Sequence, residues 1–69
     1  MEIKSKVGNR IKDLRERNRI SQKDLSYSAD LDRSYIASVE NGKRNISIIN
    51  LEKIANALSV SLSELFQGL

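Results

Sequence analysis

The chain has 69 residues, 30% of them charged and 4% aromatic, with a formal net charge of +3, no Cys, no His and no Pro. This length suits one small domain with little stability to spare, and the absence of Cys and His removes a disulfide framework, the usual zinc ligands and the commonest general base. Few aromatics argue against the base-stacking platforms that bind single strands or RNA, so duplex DNA is the better polyanion. Lys4, Lys6, Arg10, Lys12, Arg15, Arg17, Arg19 and Lys23 crowd the first third, and the remainder is acidic on balance. That asymmetry suits attraction to phosphate, and it equally fits a solvated helix face.

The opening MEIKSKVGNR carries charges every few residues and lacks the apolar run of a signal peptide, and no stretch approaches the roughly 18 apolar residues of a membrane span. A cytoplasmic protein is expected. Ile3, Val7, Ile11 and Leu14 fall at i, i+4, i+8 and i+11, which predicts a helix over 2–17 with the basic residues on its other faces. Asn18 is the expected left-handed residue that ends it.

Ser21 with Asp24 three residues later forms a capping pattern before Leu25 and opens a second helix over 21–28. After a break at Asp30-Leu31, Asp32 is placed to cap a third helix over 32–41, with Tyr35 or Ile36 and Val39 facing inward. Asn41-Gly42 reads as a helix end, not a hairpin, because its flanks lack period-two spacing. A polar loop follows, and Ser47 caps a fourth helix whose stripe is Leu51, Ile54, Ala55 and Leu58. Ser61 caps a short fifth helix ending near Gln67. No strands, repeats or linkers are expected, so residues 1–69 read as one all-α, five-helix domain.

Two short helices separated by a three- to four-residue break outline a helix-turn-helix in Ser21 to Gly42, SQKDLSYSADLDRSYIASVENG. Ser26 is the small residue where the two helices must approach closely. On these residues the chain resembles the Xre and lambda-repressor-like helix-turn-helix regulators: Ser21-Gln22, Leu25-Ser26, and the run Tyr35-Ile36-Ala37-Ser38-Val39-Glu40-Asn41-Gly42 fill the places of their pattern. Ser26 stands where Ala is usual, and Asp30 stands where the turn Gly is usual and has to bear a left-handed conformation at about 1 kcal/mol. Within the family, Asp32-Arg33-Ser34-Tyr35-Ile36 and Lys43-Arg44-Asn45-Ile46-Ser47 are most similar to restriction-modification controller proteins.

The resemblance implies a compact lambda-repressor-like fold and a homodimeric regulator of transcription that binds a partly palindromic operator, with no cofactor, metal or small-molecule effector. Arg33, in the first turn of the third helix, can set its guanidinium fork on O6 and N7 of guanine. Ser34 and Ser38 lie four apart and face the groove with Ala37, short enough for close approach. Tyr35 either packs its ring and offers its hydroxyl to phosphate or lies beside the bases, and the resemblance favours contact with DNA. Tyr27 is expected to be partly buried, outside the site.

Gln22 at a helix start is expected to hold phosphate together with free backbone N–H groups. Asn41, Lys43, Arg44, Asn45 and Ser47 are expected to clamp the backbone beyond the recognition helix. Glu40 would repel DNA unless turned inward, and the resemblance supplies Arg15 as its partner, so Arg15, Glu40 and the capping Asp32 are structural support. Ile48, Ile49, Leu62, Leu65 and Phe66 exceed what one small core can cover; part is core and the surplus is expected to be a dimer face. A DNA-binding antitoxin, a phage-type repressor and a helical interaction module without nucleic acid are the competing readings. Catalysis is not expected, since the nine acidic residues are scattered and no nucleophile has a base.

Overall fold

A computed structural model describes residues 2–69. Five helices follow in order: α1 (Ile3–Arg17), α2 (Gln22–Ala29), α3 (Arg33–Glu40), α4 (Ile48–Ala57) and α5 (Leu62–Leu65). No strand occurs among the described residues. Val7, Ile11 and Leu14 of α1, Leu25 and Ala29 of α2, Ile36 and Val39 of α3, Leu51, Ile54, Ala55 and Leu58 around α4, and Leu65 of α5 share one core. Ile3, expected at the head of the α1 stripe, is 61% exposed and lines an open groove with Ile46, Leu51 and Phe66.

The helix starts follow from their serines. Ser21, Ser47 and Ser61 are extended, and their hydroxyls accept from the backbone N–H of Asp24, Asn50 and Glu64 at 3.0, 3.1 and 3.0 Å. Each cap satisfies an orphan donor and stabilises its helix by about 1 kcal/mol. At Ser61 the Glu64 carboxylate also accepts from the Ser61 N–H, so a four-residue helix is closed from both directions. Asp32 occupies the N-cap position of α3 with extended backbone, yet its side chain makes no capping bond.

Three helix ends are left-handed without glycine: Arg19, Asp30 and Ser59 have φ of 57°, 56° and 59°. Asp30 behaves as the sequence predicts. The end of α1 does not: Asn18 stays at φ −90° and donates its side-chain amide to Leu14 O at 2.8 Å, and the reversal falls one residue later. From Arg19 the chain closes with Arg19 N–H to Glu16 O and Ile20 N–H to Arg15 O, each at 3.0 Å. Gly42 ends α3 at φ 72°, and Lys43 N–H reaches back to Ser38 O at 3.0 Å.

Close packing of α1 on α3 depends on Gly8. A Cβ there would collide with the carbonyl oxygen of Val39 and come within 2.9 Å of that of Glu40, so any larger side chain forces the two helices apart. Periodicity alone does not reveal this requirement. α3 is thus held between α1 and α2, α2 leans on α4, and α4 carries α5.

Candidate nucleic-acid interface

The orientation of α3 is fixed from inside. Ile36 is fully buried and Val39 and Glu40 are 2% and 5% exposed, so positions 36, 39 and 40 define the inward face. On a helix of 3.6 residues per turn the side away from them carries Ser34, Ala37, Ser38 and Asn41, whereas Arg33, in register with Ile36 and Glu40, is the first residue of the helix and is exposed at its end. Arg33, Ser34 and Asn41 are exposed, and Ala37 and Ser38 are half-exposed. The edge expected to read bases is open to solvent and carries short side chains behind one long, forked cation.

Glu40 is turned inward and paired. Its carboxylate accepts from Arg15 Nε at 2.7 Å and Arg15 Nη2 at 3.0 Å, a two-pronged contact between α1 and α3. Arg15 Nη1 also donates to Ile20 O at 2.8 Å, which ties the α1–α2 turn to the same guanidinium. Donation to the Glu40 carboxylate raises the Arg15 pKa above the ordinary arginine value, and burial acts in the opposite sense. No buried side-chain polar atom among the described residues lacks a partner, so this ion pair fixes an interhelix angle without leaving a charge uncompensated.

Gln22 joins this network by donating Nε2 to Glu40 Oε1 at 3.0 Å. The sequence alone places this side chain on phosphate. One of its amide hydrogens is instead committed to the ion pair, which leaves the start of α2 to offer mainly its backbone N–H groups. Lys43, Arg44, Asn45 and Ser47 are all exposed in the loop from α3 to α4. Arg44 places its guanidinium carbon 5.1 Å from the centre of the Tyr35 ring, a cation–π contact. Tyr35 is half-buried, packs on the core and accepts a hydrogen bond from Asn50 Nδ2 at 3.0 Å.

Several expectations are corrected by position. Leu65, assigned to a dimer face, is fully buried in its own protomer's core and has no surface left for a partner. Leu62 is half-buried and packs against that core, whereas Ile48, Ile49 and Phe66 are 68%, 66% and 36% exposed. Tyr27 is 88% exposed instead of partly buried, because Leu25, Ser26 and Ala29 supply the inward face of the two-turn α2 and leave position 27 outside. There it lines an open groove with Lys23, Asp30, Asp32 and Arg33.

The basic first third is also less free than its composition implies. Arg10 donates Nε to Leu65 O at 3.0 Å and Nη2 to Glu64 O at 2.8 Å, so it closes the carboxyl end of α5. Arg15 is buried against Glu40, and Arg17 pairs with Asp13 at 2.9 Å. Sequence separation of 54 and 55 residues hides the Arg10 contacts from any local pattern.

A first helix that buries one face, a tight left-handed turn and a second helix with an open polar edge define a helix-turn-helix domain. Residues 11–65 match the helix-turn-helix family. The control protein C.MunI of Mycoplasma sp is 49% identical over 69 residues, covering 99% of this chain and 93% of that protein. The crystal structure of the restriction-modification controller protein C.AhdI from Aeromonas hydrophila superposes with a TM-score of 0.89 at 43% identity, covering 91% of this chain and 96% of that one. The controller protein C.Esp1396I, solved as a tetramer in complex with its natural 35 base-pair operator, gives a TM-score of 0.90 at 39% identity, covering 97% and 88%. The chain therefore belongs to the helix-turn-helix family and, within it, to the restriction-modification controller proteins.

Proposed function

We propose that this chain is a sequence-specific, double-stranded DNA-binding regulator of transcription that works as a homodimer on a partly palindromic operator in a restriction-modification system. The observation that carries this reading is the open edge of α3, with Arg33 and Ser34 exposed while Glu40, at the other end of the same helix, is buried on Arg15. The charge of Glu40 is withdrawn from the face that would meet a polyanion, and a forked cation is left at its leading end. Arg33 reads guanine; Ser34, Ala37 and Ser38 allow close approach and contact base edges; Tyr35 stands beside them.

Asn41, Lys43, Arg44, Asn45 and Ser47, with the backbone N–H groups at Gln22, grip phosphates and set register. Two protomers are required by size. The longest dimension of one chain is 28 Å, and successive major grooves on one face of DNA lie about 34 Å apart. Ile48, Ile49 and Phe66 supply the apolar surface for that pairing. The whole chain acts as one binding domain in the cytoplasm, with no catalytic step of its own; among the described residues no helix is long and apolar enough to cross a membrane.

Electrophoretic mobility shifts with duplex DNA test this reading. Binding should persist at about 50 mM salt and weaken steeply by about 200 mM, as counterion release demands. Specific capture of a toxin protein with no selective duplex binding would favour the antitoxin reading instead, and absence of any shift at low salt would favour the interaction module.

A further inference from the structure

The helix α5 ends at Leu65, which is fully buried, and the next residue, Phe66, is exposed. A single peptide unit therefore separates a core anchor from the side chain assigned, with Ile48 and Ile49, to pairing. A helix of four residues leaves its last carbonyls without intrahelical donors. Arg10 of α1 supplies them, donating Nε to Leu65 O at 3.0 Å and Nη2 to Glu64 O at 2.8 Å.

The peptide that joins Leu65 to Phe66 is thereby held on both sides. Its oxygen accepts from Arg10, and its N–H donates to Leu62 O at 3.1 Å. Because the peptide unit is planar, fixing it leaves only rotation about the Phe66 φ to redirect the Cα–Cβ bond. The Arg10 side chain is itself lodged between α1 and α5, 19% exposed, with Nη1 3.9 Å from Asp13 Oδ2. Its planar fork presents both donors in a fixed geometry that a single ammonium lacks.

We propose that Arg10 is a positioning residue for homodimer formation: it fixes the peptide before Phe66 and so presents that ring to a second copy of the chain. The proposal rests on the homodimer reading above. Phe66 then meets its partner already ordered, and association avoids the entropy loss of ordering it. A two-fold dimer uses the same patch on both subunits, so losing this order counts twice. A residue that only braced α5 would lower stability and leave the association of folded chains unchanged.

The test measures the dimer dissociation constant of the full chain by sedimentation equilibrium, under conditions where circular dichroism shows complete helical content. Wild type, Arg10→Met, Phe66→Ala and the double variant are compared. Arg10→Met keeps the apolar stem, removes the donors and should raise the constant about fivefold to hundredfold, the effect of disordering one side chain on each subunit. In the Phe66→Ala background the same substitution should act by less than about threefold, because no ring is left to aim. A rise below about fivefold with helical content intact, or an Arg10→Met effect equal with and without Phe66, would overturn the proposal. Should Phe66→Ala be monomeric at every concentration, the Arg10→Met constant decides alone.

Were Arg10→Met to lose its helical signal, Arg10→Lys decides, since it keeps the charge and the stem without the fork: a rise above about threefold supports the proposal and a smaller one overturns it. Wild-type protein that sediments as a monomer at every concentration would remove the homodimer reading and the proposal with it, whereas a wild-type dimer that these substitutions leave intact removes only the role of Arg10.

Discussion

Replacing Glu40 with Ala strips α3 of its anchor and leaves the Arg15 guanidinium buried with the Ile20 carbonyl as its one remaining partner. The Arg15 and Glu40 side chains are 11% and 2% exposed, so little water can replace the lost carboxylate. Breaking such a pair from one side costs about 3–5 kcal/mol, because the charge that stays behind is uncompensated. At roughly 0.05–0.15 kcal/mol per residue, a chain this long has about 3–10 kcal/mol in total. The substitution should therefore consume a large part of the stability, and urea denaturation followed by circular dichroism should show it as a lowered midpoint with an unchanged slope.

The double substitution Arg15→Met with Glu40→Leu removes both charges and keeps apolar volume. It should lie within about 2 kcal/mol of wild type, because no buried charge is stranded. The sign of the pH dependence also follows. Arg15 has a raised pKa, so its contribution is complete below the ordinary arginine value and is lost only as pH rises through the raised one. Between about pH 6 and about pH 10 the penalty of Glu40→Ala should not fall through loss of the Arg15 charge. A penalty below about 1 kcal/mol, or a double variant as unstable as Glu40→Ala, would refute the argument that a buried pair sets the angle of α3.

Arg33→Ala should relax the preference for one guanine in each half-site, at about 1–3 kcal/mol, while Arg44→Ala should weaken all duplexes more evenly and reduce the salt slope by about one; binding titrations on point-substituted operators at two salt concentrations separate the two. Asp30→Gly should stabilise the fold by up to about 1 kcal/mol in thermal or urea melts, because Asp30 sits at φ 56° where Gly is unstrained. A destabilised Asp30→Gly would mean that the Asp side chain contributes more than its backbone costs. Phe66→Asp should give monomers in sedimentation equilibrium and poor operator affinity with the helical signal intact, since Phe66 is exposed and Leu65 beside it carries the core contact. Unchanged sedimentation would remove Phe66 from the dimer face.

The parts of this molecule that were legible from its residues are those governed by local chemistry. Serine caps at positions 21, 47 and 61 place three helix starts, and the 3.6-residue period identifies Ile36, Val39, Leu51 and Ile54 as core. Arg15 and Glu40 were matched by resemblance, and their bidentate bond follows once α1 and α3 are packed. What escaped depends on contacts between distant residues. Arg10 looked like another solvated cation until α5 presented two carbonyls to it, Gly8 looked incidental until α3 came within contact, and Leu65 looked surplus until α5 folded onto the core. The left-handed residue after α1 moved from Asn18 to Arg19 because the Asn18 side chain bonds to Leu14 O and keeps its own backbone out of the left-handed region.

Binding selection from a pool of random duplexes, followed by guanine methylation interference on the winning sequence, probes the open edge of α3 most directly. Recognition through α3 predicts two related half-sites with their centres about one helical turn apart, and interference at a guanine in each that disappears with Arg33→Ala. Enrichment of a single unsymmetrical site, or interference that Arg33→Ala leaves intact, would contradict it.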